Sequence, residues 1–287
     1  MRFFTLVTFN FSHLKLPMGK YTDTLTKAEK DQAARKKPPA EPGKTPIGPY
    51  AHRERYVGRV SVDNLIASPD TVFAEQFRKI QGNVVYRNLS NPLHSILVTS
   101  CLPGEGKTKV ALNLAGTLAR ALDHYAILID ADLRKKDLTL ALGLGHVFGL
   151  SDILVQRATL EDALVATEIE GLTILPAGTD APNPAELITS NRMKTLIQKL
   201  RKKHKNSFII IDSTPMVATS EAPALTQITD AAIVVILADK TGRDVVKREL
   251  KAINPEKILG VVLNRAEFET SDYYRSYYKG YYGKRKR

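Results

Sequence analysis

A chain of 287 residues is long enough for one large domain or two small ones, and its 43% hydrophobic content supports a sizeable core. A formal net charge of +12 points to an anionic partner: a nucleotide, a nucleic acid or an acidic lipid surface. The single cysteine excludes an internal disulfide, and no apolar run reaches the roughly 18 residues that span a bilayer, so a soluble, cytoplasmic protein is expected.

The chain opens Met1-Arg-Phe-Phe-Thr-Leu-Val-Thr-Phe, a short apolar run that Asn10, Ser12 and His13 soon interrupt. It has no nearby cleavage site of small residues and reads as a poor signal peptide, with Met18 as an alternative start. Residues 18 to 56 are polar and basic. Lys36-Lys-Pro-Pro-Ala-Glu-Pro-Gly-Lys-Thr-Pro carries no periodicity and predicts a linker. Residues 1–71 are therefore expected to form a flexible basic extension, with 57–71 as a lead-in. The spacing predicts a helix over 72–89, with Phe73, Phe77, Ile80, Val84 and Val85 toward the core.

Ile96-Leu-Val-Thr-Ser-Cys-Leu-Pro-Gly-Glu-Gly-Lys-Thr then reads as a buried strand, a small-residue loop and the start of a helix. Ala111, Leu114, Ala115, Leu118 and Leu122 share one face of that helix. This is the context of a P-loop. Backbone N–H groups of the loop and helix N-terminus point at phosphate oxygens, Lys107 reaches the β/γ-phosphates, and the Thr108 hydroxyl can ligate Mg²⁺. Pro103, Gly104, Glu105, Gly106, Lys107, Thr108 and Lys109 are the expected nucleotide-binding residues. The strict pattern has glycine at position 101, where this chain has Cys101.

Short apolar strands are predicted at 126–130, 172–176, 208–212, 232–238 and 258–264. Helices are predicted at 150–155, 160–166 and 184–203, the last ending in a basic run, Lys199 to Lys205. Apolar strands separated by helices predict an α/β fold, a mostly parallel sheet with helices on both faces, P-loop NTPase-like, over 72–266. The ligand is expected at the C-terminal strand ends. Residues 267–287 lack aliphatic residues and predict a disordered tail. It holds Tyr273, Tyr274, Tyr277, Tyr278, Tyr281 and Tyr282, in three pairs among cations and glycines.

Three carboxylates fall at strand ends. Asp212 follows Phe208-Ile-Ile-Ile as a Walker B carboxylate able to hold Mg²⁺. Asp130 and Asp132 end another strand and, by period-2 alternation, point to one side, which suits metal binding and activation of a nucleophile. The structural alternative is that one of them caps the next helix. Arg134 and Lys135 could stabilise phosphate charge or form a solvated turn. Asn264 ends the last strand, where an amide could read adenine. No Cys/His metal cluster is present in the sequence.

In these segments the chain resembles the bacterial tyrosine kinases, the BY-kinase family of capsule and exopolysaccharide systems, over about residues 72–287. Ser100 to Thr108 looks like the family's Walker A. Leu128-Ile-Asp-Ala-Asp-Leu-Arg-Lys-Lys looks like its Walker A′, and Ile210-Ile-Asp-Ser-Thr-Pro like its Walker B. Gly149-Leu-Ser-Asp-Ile-Leu and Leu175-Pro-Ala-Gly-Thr-Asp-Ala-Pro-Asn-Pro-Ala-Glu-Leu resemble its linking segments. The resemblance implies ATP- and Mg²⁺-dependent autophosphorylation of the tail tyrosines in trans, within a ring-forming homo-oligomer. It implies a membrane polysaccharide co-polymerase or chain-length adaptor that recruits the kinase to the inner membrane face, and a cognate tyrosine phosphatase. It also implies catalytic roles for Lys107, Asp130, Asp132 and Asp212, with Thr108, Asp132 and Asp212 on the metal and Asp130 as the base.

Two departures stand out: Gln81 follows Glu75 and Arg78 where the family often has a second arginine, and Glu221 replaces a usual Asp. The related partitioning and cell-division ATPases share the fold, but carry a lysine early in the P-loop where this chain has Leu102. Another alternative is that the basic, aromatic tail binds single-stranded nucleic acid or anionic lipid. The kinase reading itself expects no nucleic acid.

Overall fold

The computed structural model describes residues 3–7, 55–69, 71–90, 92–121 and 124–266. Leu122 and the six tail tyrosines lie outside them. The strands are β1 (Phe3–Val7), β2 (Arg59–Val60), β3 (Ser95–Ser100), β4 (Tyr125–Asp130), β5 (Val165–Thr167), β6 (Leu172–Leu175), β7 (Ser207–Asp212), β8 (Ala231–Leu237) and β9 (Ile258–Ala266). The helices are α1 (Val72–Ser90), α2 (Lys107–Ala119), α3 (Asp137–Ala141), α4 (Leu150–Leu154), α5 (Leu160–Ala163), α6 (Pro184–Ile188), α7 (Asn191–Lys203), α8 (Glu221–Ile228) and α9 (Arg243–Leu250). One sheet runs β1-β9-β8-β3-β7-β4-β6-β5-β2, parallel except for β1 on β9 and β5 on β6.

The central strands are continuously apolar because both sheet faces are covered. The pleat sends Ile96, Val98, Leu128 and Ile210 to one face, where Phe77, Ile80 and Val84 of α1 and Ala111, Leu114, Ala115 and Leu118 of α2 pack on them. Phe73 and Val85 pack on the margin of that layer. Leu97, Ile129, Ile209 and Ile211 point the other way, onto Leu150 and Leu154 of α4, Met193, Leu196, Ile197 and Leu200 of α7, and Leu225 of α8. Each fully buried side chain of this kind contributes roughly 1.5–3 kcal/mol of transfer free energy.

Parallel pairing sets the depth of the strand ends. Asp130 of β4 lies opposite Asp212 of β7, which lies opposite Val98 of β3. The acidic residues and the loop after β3 therefore meet at one edge. On the far side Leu237 of β8 pairs with Asn264 of β9.

Several elements differ from the sequence expectation. The helix expected over 160–166 stops at Ala163. Thr159 and Asp162 form a reciprocal cap at its start, and Val165, Ala166 and Thr167 then alternate buried, exposed, buried as a strand. The helix expected over 184–203 is two helices, because Ser190 turns to extended backbone and its Oγ accepts the Met193 N–H at 3.3 Å. Two stretches of the supposed extension enter the sheet. Phe3–Val7 covers the β9 edge and Arg59–Val60 pairs with β5. Among the described residues no helix is long and apolar enough to cross a membrane.

Candidate active site

The loop between β3 and α2 uses glycine where its backbone is left-handed: φ is +79° at Gly104 and +92° at Gly106. Cys101 is not such a position. Its side chain is buried in the apolar layer under the loop, and a small apolar residue serves there as well as glycine. Burial, reinforced by Glu105 and Glu249, pushes the Cys101 thiol up to about 12. Glu105 is buried and braces the loop. Its Oε2 accepts the Leu102 N–H at 2.6 Å, and its Oε1 accepts the Leu237 N–H at 3.2 Å and the Thr241 hydroxyl. Its side chain is thus a strut, leaving only its backbone for a phosphate.

Helix α2 starts without a side-chain cap. Its first-turn N–H groups are the orphan donors that an anion satisfies. Lys107, 7% exposed, directs its ammonium to 3.2 Å from Asp132 Oδ2, 3.8 Å from Asp212 Oδ1 and 3.3 Å from the Thr108 hydroxyl. Burial alone would lower its pKa, but Asp212, Asp132 and Asp130 hold it above the ordinary lysine value. Burial pushes the Asp212 carboxyl up to about 7 against the pull of Lys107, and Asp130 and Asp132 add to the rise. Burial likewise raises Asp130 to about 6, although two hydrogen bonds from Thr139 oppose it.

The carboxylates are not equivalent. Asp130 Oδ2 accepts the Thr139 N–H at 2.9 Å and the Thr139 hydroxyl at 2.6 Å, while its Oδ1 accepts the Asp132 N–H at 3.2 Å. Asp132 Oδ1 accepts the Lys135 N–H at 3.1 Å. Asp132 Oδ2 and both oxygens of Asp212 are buried, with the Lys107 ammonium as their shared charge partner and no well-directed hydrogen bond to fill their lone pairs. Three carboxylates thus face one ammonium in a buried site. The excess of negative charge over that one ammonium, and the lone pairs left unfilled, fit a divalent cation. Among the described residues no group of three or more His, Cys, Asp or Glu is arranged to hold a metal by itself. Mg²⁺ takes one or two carboxylates, a hydroxyl such as Thr108's and the nucleotide's own phosphates.

A cavity of about 360 Å³ opens here, lined by Pro103, Gly104, Gly106, Lys107, Thr108, Lys109 and Asp132 among others. Asp130, Asp212, Glu105 and Asn264 do not line it. Asn264 instead donates its Nδ2 to the Glu105 carbonyl at 2.6 Å from the β9 side, and its Oδ1 is unpaired. Arg134 pairs with buried Glu221 at 3.1 Å, whereas Lys135 lines the cavity. The Lys109 ammonium sits 5.4 Å from the Phe73 ring centroid.

Sequence reasoning passed over three supports. Asn113, buried in α2, accepts the Ala67 N–H at 2.7 Å through Oδ1 and donates to the Leu65 carbonyl at 3.4 Å, pinning the lead-in to the helix. An asparagine inside the apolar run of α2 was its visible signal. Thr139 holds Asp130 and also accepts the Ala177 N–H at 2.8 Å. Lys136, buried with φ +54°, donates to the Gly178 carbonyl at 2.8 Å and to Asp180 at 2.5 Å. Nothing local distinguished either residue.

A family model described as an AAA domain matches residues 94–256. The chain is 32% identical over 212 residues to the putative tyrosine-protein kinase CapB of Staphylococcus aureus, covering 73% of this chain and 92% of that protein. It is 32% identical over 224 residues to the tyrosine-protein kinase YwqD of Bacillus subtilis (strain 168), covering 77% and 91%. The crystal structure of the chimerical protein CapA2B2 superposes with a TM-score of 0.65 at 32% identity, over 73% of this chain and 94% of that one. By sequence and by fold, the chain belongs to the bacterial tyrosine-protein kinases.

Proposed function

We propose that this protein is an ATP- and Mg²⁺-dependent tyrosine kinase. It phosphorylates Tyr273, Tyr274, Tyr277, Tyr278, Tyr281 and Tyr282 in the tail of a second copy. Through them it regulates polysaccharide polymerisation and export. The observation that carries the reading is the buried set Lys107, Asp132 and Asp212, two carboxylates sharing one ammonium beside the uncapped N-terminus of α2. Residues 72–266 would form the kinase unit and 267–287 the acceptor tail.

The loop N–H groups and Lys107 hold the phosphates and take up charge as it develops on the transferring group. Thr108, Asp132 and Asp212 would hold Mg²⁺, which screens the phosphate oxygens. The tyrosine oxygen attacks the γ-phosphorus, the bond to the β-phosphate oxygen breaks, and ADP leaves with that electron pair. The phenolic proton passes to a carboxylate. A phenol has a pKa near 10, so it needs a base at neutral pH; Asp130, raised by burial to about 6, is assigned that role from just outside the cavity that Asp132 lines. Thr139 then orients it. The unpaired Asn264 Oδ1 is the acceptor that an adenine amino group would meet.

Phosphorylation adds about −1.5 to −2 charges per tyrosine. It would reverse the sign of a tail carrying Arg275, Lys279 and the run from Lys284 to Arg287, which supplies a switch for contacts between copies. A membrane co-polymerase adaptor would bring the protein to the inner membrane face, and a tyrosine phosphatase would reset it.

The test is incubation with Mg-ATP, with and without an adaptor's cytoplasmic segment, followed by mapping of phosphotyrosine by mass spectrometry. Phosphate on the tail, absent in Lys107→Met and Asp130→Asn, is expected. ATP hydrolysis with an unmodified tail would overturn the reading. Full activity in Asp130→Asn with loss in Asp132→Asn would move the base to Asp132.

A further inference from the structure

The end of the sheet opposite the P-loop carries a basic trough. Tyr125 opens β4, Ser207 opens β7 and His94 precedes β3. Tyr125 and Asp130, the two ends of β4, are about 17 Å apart, so this edge is remote from the acidic cluster. Three cavities of about 1070, 710 and 290 Å³ adjoin there. The first two share Lys202 and Lys203 as walls, and the second and third share Lys205, Asn206 and Ser207. Arg157, Arg192 and Lys199 complete the cationic lining, all in the largest cavity. Among the described residues, the carboxylates that line the trough are Glu161 and Asp162. Glu161 pairs with Lys203, and Asp162 accepts the Thr159 N–H and hydroxyl. Lys199, Lys202 and Lys205 are exposed and stand in no ion pair among the described residues.

The helix dipole accounts for only part of this charge. Cations in a last turn offset the negative helix end, which suits Arg201, Lys202 and Lys203 of α7. Arg201 is taken by Asp230 at 3.1 Å. Arg192, however, stands in the first turn of α7, where the dipole disfavours a cation. Its guanidinium donates to the Leu154 carbonyl at 2.8 Å, on the wall of the same cavity. Arg157 comes from the connection between α4 and α5. Cations gathered from separate elements along one track are the electrostatic footprint of a polyanion.

Shape and one aromatic side chain decide its class. A bilayer presents a plane, and a helix that inserts into it needs a free apolar face. Met193, Leu196, Ile197 and Leu200 of α7 are instead buried against the sheet. A trough suits a linear chain. Tyr125 is 55% exposed and lines the middle cavity with Lys202, Lys203 and Lys205. Its N–H donates to the Asn206 carbonyl at 3.3 Å, which sets an exposed amide beside the ring. Bases stacked on an aromatic ring, with the backbone along a cationic groove, are how single strands are held, whereas a duplex keeps its base faces stacked on one another. We propose that this trough binds single-stranded nucleic acid, with phosphates on Lys199, Lys202 and Lys205 and a base stacked on Tyr125. The site goes beyond the kinase reading and is independent of it.

The test uses the full-length chain with the six tail cations, Arg275, Lys279 and Lys284 to Arg287, replaced by glutamine, so that the tail cannot supply the binding. The probe is a fluorescent oligothymidylate of about 20 nucleotides, longer than one such site needs. Its anisotropy is titrated between about 50 and 200 mM salt. This chain is expected to bind the probe. Replacing Lys199, Lys202 and Lys205 with glutamine should weaken binding more than tenfold and reduce the slope of log affinity against log salt by about two. Tyr125→Ala should weaken binding at least fivefold, and Tyr125→Phe less than twofold. The Kd for Mg-ATP, bound at the far end of the sheet, should move less than twofold throughout. The two sets of variants lie on different elements, so one stays readable if the other fails to fold. No binding by the tail-neutralised chain, or equal binding by its folded lysine variant, would overturn the site. Full affinity in Tyr125→Ala would overturn the nucleic-acid assignment, leaving a polyanion without bases. Lysine-dependent capture on phosphatidylglycerol vesicles without oligonucleotide binding would overturn it in favour of a membrane surface.

Discussion

The Asn264 side chain stands where a Cβ on residue 106 would have to go: an added carbon would lie 2.2 Å from Asn264 Nδ2. The same amide donates to the Glu105 carbonyl, so the last strand of the sheet clamps the phosphate loop. Gly106 also sits at φ +92°. Gly106→Ala should therefore lose nucleotide affinity by more than tenfold and cost about 1–3 kcal/mol of stability. Removing the obstacle with Asn264→Ala in the same chain should restore only part of both, because the backbone strain persists. Nucleotide titration and urea unfolding of the single and double variants measure the two contributions.

The acidic cluster makes the nucleotide-free protein sensitive to pH. The folded-state pKa of Asp212 is raised to about 7 from an ordinary 3.8, so the folded state binds its proton more tightly than the unfolded chain does. Its contribution is present in full below the ordinary value and is lost as pH rises through about 7. Asp130 behaves alike up to about 6. The Tm of Asp212→Asn relative to the parent should therefore rise between pH 5 and pH 8 in the absence of nucleotide and Mg²⁺. Lys107→Met should show the opposite trend. It strips the one ammonium from the carboxylates, costing on the order of 3 kcal/mol at pH 8 and less at pH 5, where they are partly protonated. Thermal melts at both pH values decide the signs.

The sequence was most informative where chemistry and fold are local. The strand, loop and helix around Lys107 and the apolar strands ending at Asp130 and Asp212 were legible because each is set by a run of adjacent residues. For Asn264 the sequence suggested an adenine-reading amide and gave no sign of its contact with the loop. It braces the Glu105 carbonyl, since nothing in the last strand tells how close the loop approaches. Arg134 was an even choice between phosphate and solvent, and the answer was Glu221, 87 positions away. The strand at Phe3–Val7 was missed because its partner, β9, lies at the other end of the chain. Sequence periodicity reports burial, whereas long-range pairing depends on topology. The acceptor tyrosines lie outside the described residues.

Cys101 gives a direct chemical check on the loop. Its thiol is fully buried, and burial pushes it up to about 12, with Glu105 and Glu249 adding to the rise. Thiolate is the reactive form, so at pH 8 the native thiol is almost entirely protonated as well as inaccessible. Alkylation by a maleimide at pH 8 should be at least a hundredfold slower in native protein than in urea. Cys101→Ser should lower stability by about 1 kcal/mol, by placing a hydroxyl in an apolar site, and leave nucleotide binding within a few-fold. Rapid labelling of the native protein would mean that the loop opens far more often than this packing allows.

The segments after β6 and before α4 meet so closely that glycine is required for space alone. Gly149 has φ −155°, open to any residue, yet a Cβ there would lie 2.3 Å from both the Gly178 nitrogen and the Pro176 carbonyl oxygen. The crossing is tied by Leu150 N–H to Pro176 O at 2.7 Å and Ser151 N–H to Ala177 O at 2.9 Å. Asp152 accepts the Gly149 and Thr179 N–H groups at 3.0 and 3.1 Å. From Ala177 the chain of bonds continues through Thr139 to Asp130, so a push at Gly149 reaches the acidic cluster. Gly149→Ala should therefore cost about 3 kcal/mol, since backbone and not a side-chain tip must move. It should also depress phosphorylation with little change in nucleotide Kd. Thr139→Val cuts the same path at its other end, removing one hydroxyl that both donates and accepts, at about 1–3 kcal/mol. If Asp130 is positioned through this path, the two single variants and their double should lower the rate by similar factors. Factors that multiply in the double variant would show that the crossing and the threonine act independently.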